Sequence, residues 1–328
     1  MPMRVLITGR GSIAQRHVRH LRGSLPEVQV GVVSGNGDVA DVFRPCSVFA
    51  DADSGLAWQP DAVIIAGISS RHARELERCL QLKLPCLAEK PLVTSRDQWI
   101  ALRSAAAAGG LPAVVVGCNL RYLPALGKLR CALASLAPSG RVLRAQFEVG
   151  QELSQWRPGR DLQSSYSAHA GQGGGVVFDL VHEIDMARWL LAPFSALHVK
   201  NAVGGHLGDL PISSDDVHTA LLQTASGAPV VVSLDYVSQQ TVRRYAIVTT
   251  AGTYEVDLVA KNILLRQRGG ETSILTDEPA DFDVSATYGL QMRDWLAAIA
   301  DRAHDVVSPL EDALQSASLM LDMKEAAG

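Results

Sequence analysis

The sequence lacks the features that mark secreted, membrane and nucleic-acid-binding proteins. Its five cysteines include no Cys-x-x-Cys pair, so we expect reduced, buried thiols rather than disulfides or a metal site. Lys and Arg total 30 against 34 Asp and Glu, and no basic stripe is present, which disfavours nucleic-acid binding. No apolar run reaches membrane-spanning length, and the N-terminus carries no secretory signal. These absences predict a cytoplasmic protein without membrane or nucleic-acid partners.

The length and the pattern of apolar runs indicate two domains. At 328 residues the chain is longer than one core usually supports. In its first third, short β-branched runs such as DAVIIAG alternate with helix-spaced apolar residues, which is typical of a doubly wound parallel sheet. Later runs are longer and partly alternating, namely RVLRAQFEVG, DVHTALLQTA, PVVVSLDYVS and RRYAIVTTAG, and they predict an open, largely antiparallel sheet. We therefore predict an α/β fold, with one domain at 1–118 and a second, α+β domain at 119–328.

A glycine-rich turn opens the first predicted helix. Gly9, Gly11 and Ala14 form a Gly-x-Gly-x-x-Ala string directly after the strand RVLIT. The first glycine allows a tight turn, the second lets the backbone approach a diphosphate, and the small third residue lets helix and strand pack closely. This placement predicts a Rossmann dinucleotide-binding domain. Its first candidate contacts are Gly9, Gly11, Ser12, Ile13 and Ala14.

The end of the second strand bears on the choice between NAD and NADP. An NAD-selective protein commonly has a carboxylate there, whereas this sequence has Ser34 and Asn36, with no carboxylate before Asp38. The missing carboxylate removes repulsion toward a 2′-phosphate, yet no arginine stands beside these residues in the sequence to bind one. We expect NAD or NADP, with a slight preference for NADP.

Glu89, Lys90 and Pro91 follow the strand LPCLAE, at the carboxyl edge where doubly wound sheets bind ligands. A lysine there can donate a hydrogen bond to a substrate hydroxyl and hold it beside a nicotinamide. A solvated lysine at a strand end is the alternative interpretation.

A triple glycine in the second half precedes a segment with acid–base character. Asp179 and His182 are three residues apart, so we expect them to share one face at the start of a helix that runs to Leu191. An imidazole beside a carboxylate is a suitable general base near neutral pH. The alternatives are a helix N-terminus with a core histidine, or a metal site that adds Asp185. We predict no metal, because dinucleotide chemistry needs none.

These motifs together resemble the Gfo/Idh/MocA family, which includes glucose-fructose oxidoreductase and inositol dehydrogenase. The likeness covers nearly the whole chain, in the family's order: Gly-x-Gly-x-x-Ala, Glu-Lys-Pro, Asn-Leu-Arg-Tyr, the triple glycine and Asp-x-x-His-Glu-Ile-Asp. It implies an NAD(P)-dependent dehydrogenase that moves a hydride between nicotinamide and a hydroxyl or keto carbon of a sugar, polyol or nucleotide sugar. It also implies a Rossmann domain followed by a substrate-binding domain whose sheet builds a homodimer or homotetramer.

The resemblance assigns roles to individual residues. Lys90 and His182 are the implied catalytic pair, with Asp179 as their carboxylate, and the Lys90-Pro91 bond is expected to be cis. Further cofactor contacts are Ala66, Gly67, Ser69, His72, Glu89, Lys90 and Pro91. The implied substrate contacts are Arg121, Tyr122, Trp156, Arg157, Tyr166 and His182.

The sequence departs from the family pattern at two places. Many members have three residues between the catalytic Asp and His, whereas Asp179 and His182 have two, so His182 carries over more directly than Asp179. Ile68 stands where the family commonly has a proline in a cofactor-side loop. The segment from Gln151 to Ala168 resembles the family's surface-polysaccharide and nucleotide-sugar branch.

Two other functions stay open. One is a reductase of a small non-sugar ketone or imine. The other is a non-catalytic dinucleotide-sensing protein, since the family contains a transcriptional co-repressor. The presence of both Lys90 and His182 favours an enzyme.

Overall fold

The computed structural model describes residues 2–35, 37–156 and 162–328, with only the backbone described for Trp156 and Ser164. By internal contacts the chain divides into two compact units. The first comprises Met1–Tyr122 and Ser285–Ala317, and the second comprises Leu123–Val284 and Ser318–Gly328. The assignment of dinucleotide binding to 1–118 and of substrate binding and oligomerisation to 119–328 stays a prediction.

The first unit is built on a six-stranded parallel sheet. Its strands are β1 (Arg4–Thr8), β2 (Gln29–Val33), β3 (Ser47–Phe49), β4 (Ala62–Ile65), β5 (Cys86–Ala88) and β6 (Val114–Val116), in the order β3-β2-β1-β4-β5-β6. Residues of the central strands such as Val5, Ile7 and Ile64 are fully buried, because helices cover parallel sheets on both faces. The predicted doubly wound sheet is confirmed, and β3 is an edge strand that the sequence pattern did not predict.

Four helices connect the strands of this sheet. They are α1 (Ser12–Ser24), α2 (Ala52–Ala57), α3 (Ser69–Gln81) and α4 (Arg96–Ala107). Helix α3 buries Leu76 and Cys79 on one face while Arg71 and Arg74 are exposed, the arrangement expected of a helix that packs on a sheet.

The second unit is built on an eight-stranded sheet. Its strands are β7 (Val142–Gly150), β8 (Leu197–Gly205), β9 (Val217–Thr224), β10 (Pro229–Asp235), β11 (Val242–Thr249), β12 (Gly252–Asp257), β13 (Asn262–Gln267) and β14 (Thr272–Thr276), in the order β14-β13-β12-β11-β7-β10-β9-β8. Only β7 and β10 pair in parallel, so the predicted largely antiparallel sheet is confirmed. Burial alternates along β9 and β10, and one face of the sheet is therefore covered.

Short helices precede and cover this sheet. They are α5 (Pro124–Leu136), α6 (Leu153–Trp156), α7 (Val176–Asp179) and α8 (Val181–Leu191), with 3₁₀ turns at Leu162–Ser164, Tyr166–Ala168 and Ala170–Gln172. Helix α7 contacts β9 and β10, and α8 contacts β7 and β10. The chain ends with α9 (Val284–Ala300) and α10 (Leu310–Ala326). None of the helices described is both long and apolar enough to cross a membrane.

Candidate active site

The glycine turn lies between β1 and α1 and packs against the loop after β4. Gly9 has φ +115°, and a Cβ added there would collide with the carbonyl oxygen of Ala66. The two segments are also joined by the Ala66 N–H, which donates to the Thr8 carbonyl over 2.9 Å. Only glycine satisfies both the backbone angle and the close approach.

The N-terminus of α1 fits an anion such as a dinucleotide diphosphate. Gly11 is its N-cap, and a Cβ built there meets nothing within 4 Å, so the space above the turn is open. No side chain among the described residues caps this helix, and its first turn carries no acidic residue. The first-turn N–H groups and the helix dipole are therefore directed at that open space. Ser12 is exposed there, while Ala14 is buried against the sheet.

An arginine from the glycine turn lies at the loop after β2, which the sequence pattern did not predict. The Ser34 hydroxyl donates to the Asp38 carbonyl oxygen over 2.7 Å, and Arg10 Nη1 donates to the same oxygen over 2.9 Å. No arginine lies beside Ser34 in the sequence, but the folded chain brings Arg10 to the same loop, so the expectation is wrong for the structure. Arg10 comes from the glycine turn and reaches Asp38, 28 residues further along the chain. Asn36, the other predicted contact, is outside the described residues.

The Glu-Lys-Pro segment follows β5, as predicted, and the Lys90-Pro91 bond is cis. Glu89 is buried and lies 2.7 Å from Nε2 of His17 on α1. Burial opposes ionisation of Glu89, but the hydrogen bond and charge of His17, together with the charge of Lys90, hold the pKa of Glu89 below its ordinary value. Glu89 therefore links Lys90 to the helix that begins at the glycine turn.

His72 connects the other predicted cofactor-side residues. Its Nδ1 lies 2.9 Å from the carbonyl oxygen of Pro91, and its Nε2 lies 3.1 Å from the carbonyl oxygen of Gly67. Ala66 and Ser69, from the same loop as Gly67, are buried. The structure thus brings together the glycine turn, the loop after β4 and the turn after β5 at the carboxyl edge of the sheet.

The predicted substrate contacts Arg121 and Tyr122 are buried within the first unit, in a 3₁₀ turn at Asn119–Tyr122. Arg121 forms an ion pair with Asp312, and the Tyr122 hydroxyl donates to Asp294 over 2.6 Å. Burial and the neighbouring Asp294 raise the pKa of Tyr122. These contacts give both residues a structural role in the first unit.

In the second unit, Asp179 and His182 do not lie on one helix. Helix α7 ends at Asp179, Leu180 has φ −95° and ψ 21°, and α8 begins at Val181. The predicted shared helix face is therefore wrong, because a helix break at Leu180 separates the two residues. His182 is half-buried in the first turn of α8, whereas Asp179 is buried.

Asp179 is held by a residue from the sheet. The hydroxyl of Tyr236, just after β10, donates to Asp179 Oδ2 over 2.6 Å. Burial, with the charge of Asp179 and the hydrogen bond to it, raises the pKa of Tyr236 well above its ordinary value, so the phenol keeps its proton. The carboxylate of Asp179 is thereby fixed in orientation.

The last residue of the triple glycine, Gly175, lies at the start of α7 and packs against Asp215. Gly175 has φ +111°, and a Cβ added there would collide with the Asp215 carboxylate. The Val176 N–H donates to the Asp215 carbonyl over 3.1 Å, and Lys324 Nζ lies 3.0 Å from Asp215 Oδ1. The glycine therefore permits a close contact that sets where α7 begins.

The first turn of α8 is anchored by an ion pair between a buried glutamate and a partly exposed arginine. Glu183, next to His182, is fully buried and lies 2.5 Å from Arg243 Nε and 3.0 Å from the Tyr245 hydroxyl, both on β11. Burial opposes the charge of Arg243, but Glu183 raises the pKa of Arg243, and burial with Glu183 also raises the pKa of Tyr245. No sequence motif indicated this cluster, since Arg243 and Tyr245 are about 60 residues away from Glu183 along the chain.

The predicted substrate loop is described only in part. Tyr166 is half-buried in a 3₁₀ turn. Trp156 ends α6, and its side chain and all of Arg157 lie outside the described residues. Across the described ranges, no group of three His, Cys, Asp or Glu side chains could hold a metal ion.

Comparison with known proteins assigns both halves of the chain. A family model described as oxidoreductase family, NAD-binding Rossmann fold, matches residues 3–117. A second, described as GFO/IDH/MocA C-terminal domain, matches residues 139–255.

Curated relatives and solved structures agree with this assignment. Inositol 2-dehydrogenase of Mycolicibacterium smegmatis is 27% identical over 317 residues, covering 90% of this chain and 84% of that one. Inositol 2-dehydrogenase 2 of Saccharopolyspora erythraea is 27% identical over 58% of this chain, and the match spans 54% of that enzyme. The WlbA dehydrogenase of Bordetella pertussis, solved with NADH and UDP-GlcNAcA, has the same fold, with TM-score 0.80, 18% identity and coverage of 99% and 95%. The chain therefore belongs to the Gfo/Idh/MocA family of oxidoreductases, and its first unit carries the family's NAD-binding Rossmann fold.

Proposed function

We propose that this protein is an NAD(P)-dependent dehydrogenase that acts on a CH–OH group of a sugar, polyol or nucleotide sugar. The observation that carries the proposal is the glycine turn. Its contact with Ala66 leaves no room for a side chain at Gly9, and the N-terminus of α1, which has no side-chain cap, faces open space above Gly11. A dinucleotide diphosphate fits these N–H groups. Gly9, Gly11, Ser12, Ile13 and Ala14 would hold it.

The catalytic step is assigned to Lys90 and His182. When bound, a nicotinamide would supply the hydride-transfer chemistry. Lys90 donates a hydrogen bond to the substrate oxygen, and His182 takes the hydroxyl proton during oxidation and returns it during reduction, because imidazole exchanges protons near neutral pH. Proton transfer of this kind typically contributes about 10²- to 10⁴-fold in rate.

Asp179 is proposed to support this step as a positioned carboxylate. Its hydrogen bond from Tyr236 holds a negative charge at the end of α7, immediately before α8. Tyr166 is proposed to contact the substrate, together with Trp156 and Arg157. Since Arg121 and Tyr122 are tied to Asp312 and Asp294, we assign them to the structure of the first unit rather than to substrate binding.

The choice of cofactor is proposed to depend on Ser34 and Arg10. Ser34 replaces the carboxylate that NAD-selective proteins commonly use, and the guanidinium of Arg10 lies at the same loop, which favours a 2′-phosphate and hence NADP. The NADH bound to the Bordetella pertussis dehydrogenase favours NAD. Affinities of the wild-type protein for NADH and NADPH, measured by nicotinamide fluorescence, distinguish the two.

The substrate class is proposed from the relatives. The curated relatives are named for inositol, and the Bordetella pertussis enzyme was solved with a nucleotide sugar. All are cyclic compounds with several hydroxyl groups. A panel of inositols, free sugars and nucleotide sugars, with reduced and oxidised dinucleotides, covers this range.

We also propose that the protein is a cytoplasmic homo-oligomer. The five cysteines, all within the described residues, form no disulfide, which fits a reducing compartment. The open sheet of the second unit exposes Val203 on β8 and Leu221 on the neighbouring strand β9. Exposed apolar surface of this kind marks association sites, and sedimentation at several concentrations measures the subunit number.

The test of the proposed chemistry is Lys90→Ala. With a substrate identified from the panel, we expect kcat to fall by about 10²-fold or more while the Kd for the dinucleotide changes little, since Lys90 acts on the substrate oxygen. His182→Asn should lower kcat by a similar factor.

Retained turnover in Lys90→Ala would remove this lysine from the mechanism. Dinucleotide binding without turnover across the whole panel would support a sensor protein instead. Turnover confined to non-sugar ketones or imines would support the small-molecule reductase.

A further inference from the structure

The ring of His72 lies between two backbone carbonyl groups. Nδ1 is 2.9 Å from the Pro91 oxygen and Nε2 is 3.1 Å from the Gly67 oxygen. His72 is 2% exposed, so water does not replace either contact. Both ring nitrogens of a buried histidine therefore face hydrogen-bond acceptors.

A neutral imidazole does not satisfy this arrangement. A carbonyl oxygen can only accept, and a neutral imidazole carries one N–H donor and one bare nitrogen. In either neutral tautomer, one nitrogen lone pair would face a carbonyl lone pair at hydrogen-bond distance. The imidazolium form has two N–H donors and satisfies both carbonyl groups.

Two nearby carboxylates favour the cation, whereas nearby positive groups oppose it. Two carboxylates act on His72: Glu75, one turn further along α3, and Glu89, at the end of β5. Burial raises the pKa of Glu75, while the Thr8 hydroxyl, which donates to it over 2.5 Å, and the charge of His72 oppose the rise. Glu89 accepts a hydrogen bond from His17, and its pKa is held low, as described above.

The other charges near this group belong to its own helix and to the turn after β5. Arg71 and Arg74 act on Glu75, and Lys90 acts on Glu89. Arg71, Arg74 and Lys90 outnumber the two carboxylates, so the case for a cation at His72 rests on its two acceptor oxygens.

We propose that His72 is a buried imidazolium that positions Lys90 by tying the turn after β5 to the loop after β4. Pro91, whose carbonyl accepts from His72, directly follows Lys90, and Gly67 follows the residue that packs on Gly9. The two segments leave neighbouring strands, β4 and β5. The positioning role rests on the proposed function of Lys90, whereas the protonation state does not.

The protonation state is measured by ring ¹⁵N NMR on protein labelled with ¹⁵N-histidine, at pH 7.5. The His72 signals are assigned by their loss in His72→Gln, and the exposed His198 on β8 serves as the internal reference. We expect signals from two protonated ring nitrogens for His72, since both nitrogens face carbonyl oxygens. One bare nitrogen on His72 would overturn the proposal.

The positioning role is measured by kinetics with three variants. His72→Leu removes both donors, and we expect kcat to fall by about 10- to 100-fold because a small misplacement of a catalytic group has effects of this size. His72→Gln keeps an amide N–H₂ donor and should recover part of the loss. Leu76→Ala, buried on the same helix, should lower the melting temperature without a comparable loss of kcat.

The outcomes separate this inference from the proposed function. If Lys90→Ala keeps its turnover, the function assigned to Lys90 fails while the NMR result on His72 still stands. If Lys90→Ala loses turnover and His72→Leu keeps the wild-type kcat, the positioning role of His72 is overturned. A loss of kcat in Leu76→Ala equal to that in His72→Leu would also overturn it, since packing alone would then explain the effect.

Discussion

The turn at Gly9 and the helix break at Leu180 both lie at candidate site residues, and they are fixed by different contacts. At Gly9 the constraint is backbone against backbone: a positive φ and a carbonyl oxygen too close for any side chain. At Leu180 the flanking residues are held by side chains from distant parts of the chain, through Tyr236 to Asp179 and Arg243 to Glu183.

This difference has a physical consequence. A backbone constraint is set by local geometry, so it tolerates almost no substitution and is readable in a short sequence motif. A buried side-chain network depends on groups far apart in the chain, and each partner that is removed leaves a buried polar group behind. The two regions should therefore respond differently to matched substitutions.

The largest effect is expected at Gly9. Gly9→Ala combines a strained positive φ with a collision against the Ala66 carbonyl, and we expect a loss of about 4 kcal/mol or more in the free energy of unfolding. Denaturant unfolding and nicotinamide fluorescence measure stability and dinucleotide binding.

Gly11→Ala is the matched control, because Gly11 has φ −69° and an added Cβ meets no atom within 4 Å. It should leave stability nearly unchanged while weakening dinucleotide binding, since the Cβ occupies space that the diphosphate needs. Wild-type stability in Gly9→Ala, or wild-type dinucleotide affinity in Gly11→Ala, would contradict the roles assigned to these two glycines.

The second effect tests the side-chain network of the second unit. Arg243→Met leaves the Glu183 carboxylate buried without its cation, and we expect a loss of about 3 to 5 kcal/mol in the free energy of unfolding. Arg244→Met is the control. Arg244 follows Arg243 in the chain, but it is exposed and pairs with Asp257 at the surface. That change should cost less than about 1 kcal/mol. Equal losses in the two variants would contradict the buried network.

A smaller effect is expected at Tyr236. Tyr236→Phe removes one donor from the buried carboxylate of Asp179, and we expect a loss of about 1 to 3 kcal/mol by denaturant unfolding. Tyr254→Phe serves as the control, because burial alone raises the pKa of Tyr254. The control should change stability by less than about 0.5 kcal/mol. If the two variants match, the Tyr236 hydroxyl does not hold Asp179.

The smallest expected effect is on the pH dependence of stability, which also tests the hydrogen bond between Tyr236 and Asp179. The pKa of Tyr236 is raised above its ordinary value of 10.0 in the folded protein, so above that pH the unfolded chain binds fewer protons than the native one. Stability should therefore fall as pH rises past 10, by up to about 1.4 kcal/mol per pH unit for each such tyrosine. The slope measured between pH 9 and 11 should be shallower in Tyr236→Phe. An identical slope would show that Tyr236 does not titrate abnormally.

The sequence predicted the first unit more fully than the second. The strands of the parallel sheet are short apolar runs, and the glycine turn is a local motif, so both are visible without the fold. The edge strands β8 and β14 were missed, because exposed strands carry a weak apolar pattern. Strands β12 and β13, between β11 and β14, were also missed.

The candidate site was predicted as residues but not as contacts. Spacing alone suggested that Asp179 and His182 share a helix, because a break at Leu180 leaves no mark in a three-residue interval. Tyr236, Arg243 and Tyr245 were not anticipated, since their partners are about 60 residues away. Arg10 stood in the recognised motif, yet its place at the end of β2 follows only from the parallel pairing of β1 with β2.

The proposed reaction transfers a hydride between a dinucleotide held at the glycine turn and a carbon of a polyhydroxylated substrate. Its most direct test is to supply NADH or NADPH deuterated at nicotinamide C4, with a panel of keto-inositols and keto nucleotide sugars, and to examine the products by mass spectrometry. The account predicts a product alcohol that carries one deuterium on its carbinol carbon, and no such product from Lys90→Ala. Dinucleotide binding with no deuterium in any product would contradict it.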